Sequence, residues 1–395
     1  MKKWLVALFA LVGVLLGSCG GGATSLVSGG DGGVGSGGTG ISGGSVGYVS
    51  GFGSIYVNGT RYDIGNATLS LTDDTDLKLG MSVKVTGTVS TDFSTGTASS
   101  VESEVDARGQ VSNISAAAGT LQLQGLDINT DSETVYDGVT GIAGLSNGDW
   151  VKVYGQAWGS GQLRASRIEK LLVVPSGLVL SGTISQLDKI NQRFVLGDLN
   201  SNNLTINYGA AAFTGAIDAS SISNGMVVRV RSSTAPVAGV LGASSIKLWY
   251  PLTLVDNAPL SVDGVIGNYS GVNSFKVLGY SVDASGATVT GGTVSTLAIG
   301  GVKVEVTGLV HNGILVASSV QIRQVPGTPG HARYTATGPI VQFVSASSFK
   351  VQGQAINASG VSAGIQAQLA NKVKVQVVGS SVVNGVLIAD SVTFN

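Results

Sequence analysis

The chain has 395 residues, of which 60 are glycine, and only 11% are charged and 6% aromatic. Basic and acidic residues nearly cancel, 22 against 23, which removes the electrostatic attraction on which nucleic-acid binding largely rests. A single cysteine excludes an internal disulfide framework and a thiolate metal cluster, so folding must rest on apolar burial and β-ladders.

Lys2 and Lys3 precede an apolar run from Trp4 to Leu16, and Leu16-Gly17-Ser18-Cys19 then leads into Gly20-Gly21-Gly22. A charged start, a short apolar stretch and small residues at a cut site are the layout of a secretory signal. The run is too short to cross a bilayer comfortably as a helix. The tetrapeptide resembles the lipobox of bacterial lipoproteins. That resemblance implies a signal peptide over residues 1–18, lipidation of Cys19 as the mature N-terminus, and a membrane as partner through that anchor. Gly20 stands where an aspartate would retain a lipoprotein in the inner membrane, so the resemblance favours the outer membrane, on either its periplasmic or its external side.

Residues 19–46 read as a tether: nearly half are glycine and most others are small. Such a chain cannot bury enough apolar surface to offset its ordering entropy, and as a random coil it spans about 30 Å.

From residue 47 one pattern is written five times. Opening glycines lead short apolar segments at Gly47, Gly109, Gly182, Gly264 and Gly338. A second short strand follows, such as Ile55-Tyr56-Val57, Leu121-Gln122-Leu123 or Phe349-Lys350-Val351, and then a third, such as Leu126-Asp127-Ile128. The fourth element is the clearest: Val83-Lys84-Val85, Val151-Lys152-Val153, Val228-Arg229-Val230, Val302-Lys303-Val304 and Val373-Lys374-Val375. A closing strand ends each unit, as in Leu315-Val316-Ala317-Ser318-Ser319-Val320. Alternation of valine and charge is period two, one face to a core and one to water. Prolines fall between units, at a strand start or, for Pro236, in a loop, where strands tolerate them.

The predicted fold is all-β: a tandem string of about five small OB-like barrels at residues 47–106, 107–171, 177–249, 260–323 and 335–395, with 324–334 as the most exposed linker. Five strands in each unit suit a small closed barrel better than a sandwich. Units of this size are marginal alone, so neighbours are expected to support one another.

The opening Gly-x-Val/Ile, the Phe/Leu-x-Val/Leu strand, the Val-Lys-Val-x-Gly strand and the closing Leu-x-Ala-x-x-Val/Ile strand together resemble a bacterial repeat family, domain of unknown function DUF5666. The resemblance covers residues 47–395 and departs at Ser232, which replaces the glycine after the third valine strand. It implies small tandem barrels in exported proteins, often lipoproteins, and carries no catalytic residue.

Candidate chemistry is sparse. His311 adjoins the turn signal Asn312-Gly313, and His331 lies in the linker, without ligand spacing between them. Asp73, Asp74 and Asp76 could offer oxygens to calcium, but the glycine and distal glutamate of an EF-hand loop are missing, so a solvated loop is the preferred reading. Asp127, Asp131 and Glu133 could supply a carboxylate pair for glycoside hydrolysis, as acidic residues in any chain of this length could. Tyr56, Tyr62, Trp150, Trp158, Trp249 and Tyr250 do not recur at one position and read as packing at unit boundaries. The cations Lys84, Lys152, Arg229, Lys303 and Lys374 share one place in the pattern. They form either a stripe for an anionic polymer or, as the preferred reading, charge that keeps exposed strands from pairing with other chains.

The sequence therefore predicts a non-catalytic, envelope-anchored binding or structural module, with no cofactor or metal and with an envelope glycan or protein as partner. The alternatives are a glycan-active enzyme and an OB-type binder of an anionic polymer.

Overall fold

The alternating segments form strands that close on themselves. In the computed structural model, β1 (Ile41–Phe52) pairs antiparallel with both β2 (Ile55–Val57) and β5 (Ser82–Val89). β2 pairs with β3 (Thr60–Asp63), β3 runs parallel to β6 (Thr95–Ser103), and β6 returns antiparallel to β5. This ring is a small barrel. A short β4 (Thr68–Leu71) lies parallel to the far half of β6.

The same order of pairings recurs from Ala107 to Leu171 and from Leu178 to Leu248. It recurs again from Pro259 to Gln324 and from Tyr334 to Phe394. The all-β expectation holds. Among the described residues helix is limited to Ala363–Gln366 and the 3-10 turns Ile142–Gly144 and Val294–Ala298. The structure describes residues 41–158, 162–197, 204–328, 330 and 332–395. The signal peptide, Cys19, the tether up to residue 40, His331 and the Trp158 side chain lie outside the described residues.

The valine strand owes its form to period two and its glycine to a bulge. Val83 and Val85 are buried in the barrel, where Ile55, Val57 and Val101 also pack. The ladder between β5 and β6 slips between Thr86 and Gly87, and a Cβ on Gly87 would collide with the Thr97 carbonyl oxygen. Gly155 and Gly308 occupy the same kind of slip against Arg164 and Val316. In the third segment the corresponding strand, Val227–Ser232, simply stops at Ser232. In the fourth segment the valine strand Lys303–His311 and the closing strand Ile314–Gln324 are joined by Asn312 and Gly313. With φ of 51° and 74°, these two residues form the expected two-residue turn.

The barrels do not form a string. β1 runs parallel to strand Pro259–Gly271 of the fourth segment at Gly44–Val46, and parallel to strand Tyr334–Ser345 of the fifth at Gly51–Phe52. Strand Ala107–Ser115 pairs with Leu178–Asp188 across the second and third segments. One apolar cluster spans the first and last segments, another spans the second and third, and a third fills the fourth. The described chain is one compact unit.

Two boundaries need correction. Residues 41–46, assigned to the tether on their glycine content, are the first half of β1 and pair with Val89 through Lys84. Their glycines serve contact rather than freedom: a Cβ on Gly43 would strike Pro259 and one on Gly44 would strike Leu252. The linker 324–334 is also less exposed than expected, because Gln324 and Tyr334 are buried at its ends and the Gly330 amide donates to Ser132 Oγ at 2.7 Å. The exposed joint is instead 172–174, where Leu172, Val173 and Val174 are 97%, 77% and 67% exposed. Thermolysin, which cuts beside apolar residues, is expected to cleave the folded region first at 172–174. First cleavage at 324–334 would reverse this assignment.

Candidate functional site

Each valine strand turns its valines into its own barrel, so the cation between them leaves through the outer wall. Where barrels pack, that wall is the interior of the molecule. Lys152 is buried, with Nζ 2.9 Å from Asp74 Oδ1 and 3.2 Å from Glu169 Oε1. Arg229 is fully buried, with Nη2 2.6 Å from Asp106 Oδ1 and Nη1 3.4 Å from Glu104 Oε2, and its guanidinium lies over the Tyr250 ring. Lys303 is buried, with Nζ 2.6 Å from Glu133 Oε2 and over the Tyr48 ring. Lys84 is partly buried and meets Glu102 at 2.9 Å. Lys374 alone of the five is exposed with no ion pair among the described residues. The exposed cationic stripe is therefore not what the fold builds: Lys152, Arg229 and Lys303 meet acids of other segments, and Lys84 meets Glu102 of its own.

Two networks result. In the first, Asp106 accepts from Arg229, Ser82 Oγ, the Gly155 amide and Trp249 Nε1, tying together four stretches of chain. Asp73 is gripped by Arg231 at 2.7 and 3.1 Å, by Arg108 at 3.1 Å and by the Val105 amide. Asp74 accepts from Lys152 and Tyr154 and sits 3.2 Å from Lys78. Burial pushes both carboxyls up, but the bonds and charges of Arg231 on one and of Tyr154 and Lys152 on the other outweigh it and hold them below the usual range. These two aspartates are thus structural anchors of the first segment onto the second and third, not a solvated loop. Asp76 stays exposed with only Thr75 as partner among the described residues. Among the described residues no group of three acidic, histidine or cysteine side chains is arranged to hold a metal.

The second network gathers Tyr48, Glu133, Asp263, Lys303, Glu305, Arg323 and Tyr334 from four segments. Arg323 reaches Glu133 at 3.3 Å, Glu305 at 3.5 Å and the Tyr48 hydroxyl at 2.9 Å. Tyr334 donates to the Glu133 carbonyl. Asp263 accepts from Gln156 at 3.1 Å, while its other oxygen is buried without a partner among the described residues. Three carboxylates here face two cations. Burial, reinforced by Asp263 and Glu133 and opposed by Arg323, pushes Glu305 up to about 7. Burial also raises Asp263.

The acids offered for a carboxylate pair are each held by other partners. Asp127 accepts from Gln122 at 2.6 Å, Asp131 is 3.2 Å from Arg164, and Glu133 belongs to the second network. The aromatics pack at boundaries: Trp249 and Tyr250 meet edge to face at 4.9 Å, the Tyr250 hydroxyl accepts from the Glu104 amide, and Tyr62 is buried beside Ser45. Sequence reasoning missed Glu104, Asp106, Asp263, Glu305 and Arg323. A signal existed for the first two: Glu102, Glu104, Asp106 and Arg108 alternate at period two, the complement of a Val-Lys-Val strand.

The surface carries a groove of about 680 Å³ between the first and fifth segments, within the range of small-ligand sites. Phe52, Ile64, Leu69 and Leu77 line its apolar side, and Thr75, Asp76 and Gln352 its polar side.

Two stretches of the chain, residues 108–169 and 263–321, each match the family model described as a domain of unknown function, DUF5666. They coincide with the second and fourth barrels, as expected of a repeat protein built from such domains. The search of curated proteins returned no relative of the chain.

Proposed function

We propose, taking this repeat of DUF5666-like barrels as the premise, that the protein is a non-catalytic binding or structural module of the cell envelope. One observation carries the reading: the charged side chains that hydrolytic or acid–base chemistry would need are committed to one another in the two networks. Glycoside hydrolysis needs two carboxyls flanking an accessible bond. Glu305 has a suitable pKa, but it is buried, with Gly59 of the first segment packed beside it. The closed ring, whose third and last strands run parallel, supports reading the barrels as OB-like, an architecture suited to oligosaccharide and oligonucleotide binding. The near balance of charge disfavours nucleic acid.

We further propose lipid attachment at Cys19 and an outer-membrane address, supported by the lipobox-like Leu16-Gly17-Ser18-Cys19. Two or more acyl chains would hold the protein stably where one would not. Replacement Cys19→Ser is expected to move the protein from the membrane pellet to the soluble fraction. Retention of the variant in membranes would overturn the anchor.

The binding reading is tested by screening residues 41–395 against envelope glycans and lipopolysaccharide, with product analysis of every glycan bound. Saturable binding without turnover is the expected result. Turnover that disappears on mutating acidic residues would replace it with the enzymatic reading.

A further inference from the structure

The third segment departs from its neighbours in carrying Arg229 and Arg231 on one strand where the others carry a single lysine and a neutral or acidic residue. Strand Val227–Ser232 pairs with Ser245–Leu248, which pairs in turn with Ala212–Thr214. Register places Thr214, Lys247 and Arg229 in one row across the three strands, and Arg231 and Ser245 in the next row of the same face. Together with Glu104 of the first segment these residues line a half-open pocket of about 240 Å³.

The charges in this pocket are layered. Arg231 and Lys247 have 25% and 30% of their side chains exposed, while their acidic partners Asp73 and Glu104 are exposed by only 5% and 7%. An approaching group therefore meets the heads of Arg231 and Lys247 with Asp73 and Glu104 behind them, and Glu102, 28% exposed and 3.8 Å from Lys247, stands beside them at the rim. Burial opposes ionisation of Glu104, but Arg229, Lys247 and Arg231 together keep it ionised and lower its pKa. The hydroxyls of Thr214 and Ser245 have no hydrogen-bond partner among the described residues. They stand in rows with the ammonium and guanidinium donors, on strands rather than loops, which fixes their spacing.

We propose that this pocket binds a tetrahedral oxyanion, a phosphate or sulfate, with Lys247 and Arg231 supplying charge-assisted donors and Thr214 and Ser245 neutral ones. The Arg231 fork suits such an oxyanion geometrically. At about 240 Å³ the pocket is smaller than sites for whole small molecules, so it takes one anionic group rather than an entire ligand. The inference rests on the binding-module reading and names its ligand chemistry: an anionic substituent, free or borne on an envelope glycan.

The test is calorimetric titration of residues 41–395 with inorganic phosphate and sulfate at constant ionic strength, with chloride as the control. Phosphate esters of a monosaccharide and the neutral monosaccharide form separate arms. Saturable binding of phosphate or sulfate is expected, lost at least tenfold in Lys247→Gln. The double variant Thr214→Val, Ser245→Ala, which leaves every ion pair in place, should keep the melting temperature without ligand and lose affinity several-fold. Tighter binding of the ester than of free phosphate identifies a glycan substituent as the ligand, and equal binding identifies the free ion. Absence of saturable binding, or equal affinity in all variants, overturns the inference. Glycan binding that persists in both variants would overturn this pocket while leaving the module reading intact. Glycan turnover with phosphate binding intact would do the reverse.

Discussion

Replacing Arg229 with methionine is expected to destabilise the folded protein by about 3–5 kcal/mol, because it strands fully buried Asp106 without its cation, while Glu104 keeps Lys247 and Arg231. The same strand position in the fifth segment provides the control: Lys374→Met removes an exposed charge without an ion pair among the described residues and should change stability by less than about 0.5 kcal/mol. Chemical denaturation of both variants measures the contrast. Adding Asp106→Asn to Arg229→Met should recover part of the loss, since the double variant no longer buries a lone carboxylate at that contact. If Arg229→Met cost no more than Lys374→Met, the first network would not hold the barrels together.

Replacing Glu305 with glutamine is expected to stabilise the protein at pH 8 and to have little effect at pH 4.5. Burial raises this carboxyl from its ordinary 4.5 to about 7, so the folded chain holds the proton more tightly than the unfolded chain. The stability contributed by this group is complete below about pH 4.5 and is lost as the pH rises through about 7. One pKa unit corresponds to about 1.4 kcal/mol, so the difference between variant and wild type should grow by about 2–3 kcal/mol between pH 4.5 and 8. Taking that difference isolates Glu305 from carboxylates of opposite sign, such as Asp73 and Glu133, whose lowered pKa values give stability that disappears on acidification. A difference that does not change with pH would place the proton elsewhere in the network.

Much of the fold was legible because period two is a local property. Val83 and Val85 face the barrel interior as their alternation requires, and Asn312-Gly313 makes the turn that its residue types demand. The bulge glycines were visible as a motif without their cause, which is the carbonyl of a strand about ten residues on. The fate of Lys152, Arg229 and Lys303 was not legible. Alternation correctly puts them outside their own barrel, but whether that outside is water or a neighbouring barrel depends on contacts such as Lys303–Glu133, which join residues far apart in sequence. Glycine content misled at 41–46 for a related reason: small residues serve a loose tether and a tight strand contact equally well.

The double pairing of β1 constrains how the molecule can be made and how it can evolve. Its parallel partners begin at Gly44–Leu260 and Gly51–Thr335, more than 200 residues downstream. β1 therefore waits for more than 200 further residues before its ladder is complete, and such non-local closure is slow and leaves strand edges open meanwhile. A linear solenoid can gain or lose a unit at little cost, because each unit touches only its neighbours. Here an inserted or deleted barrel would carry the fourth and fifth segments away from β1, so the length of this array is fixed by its closure.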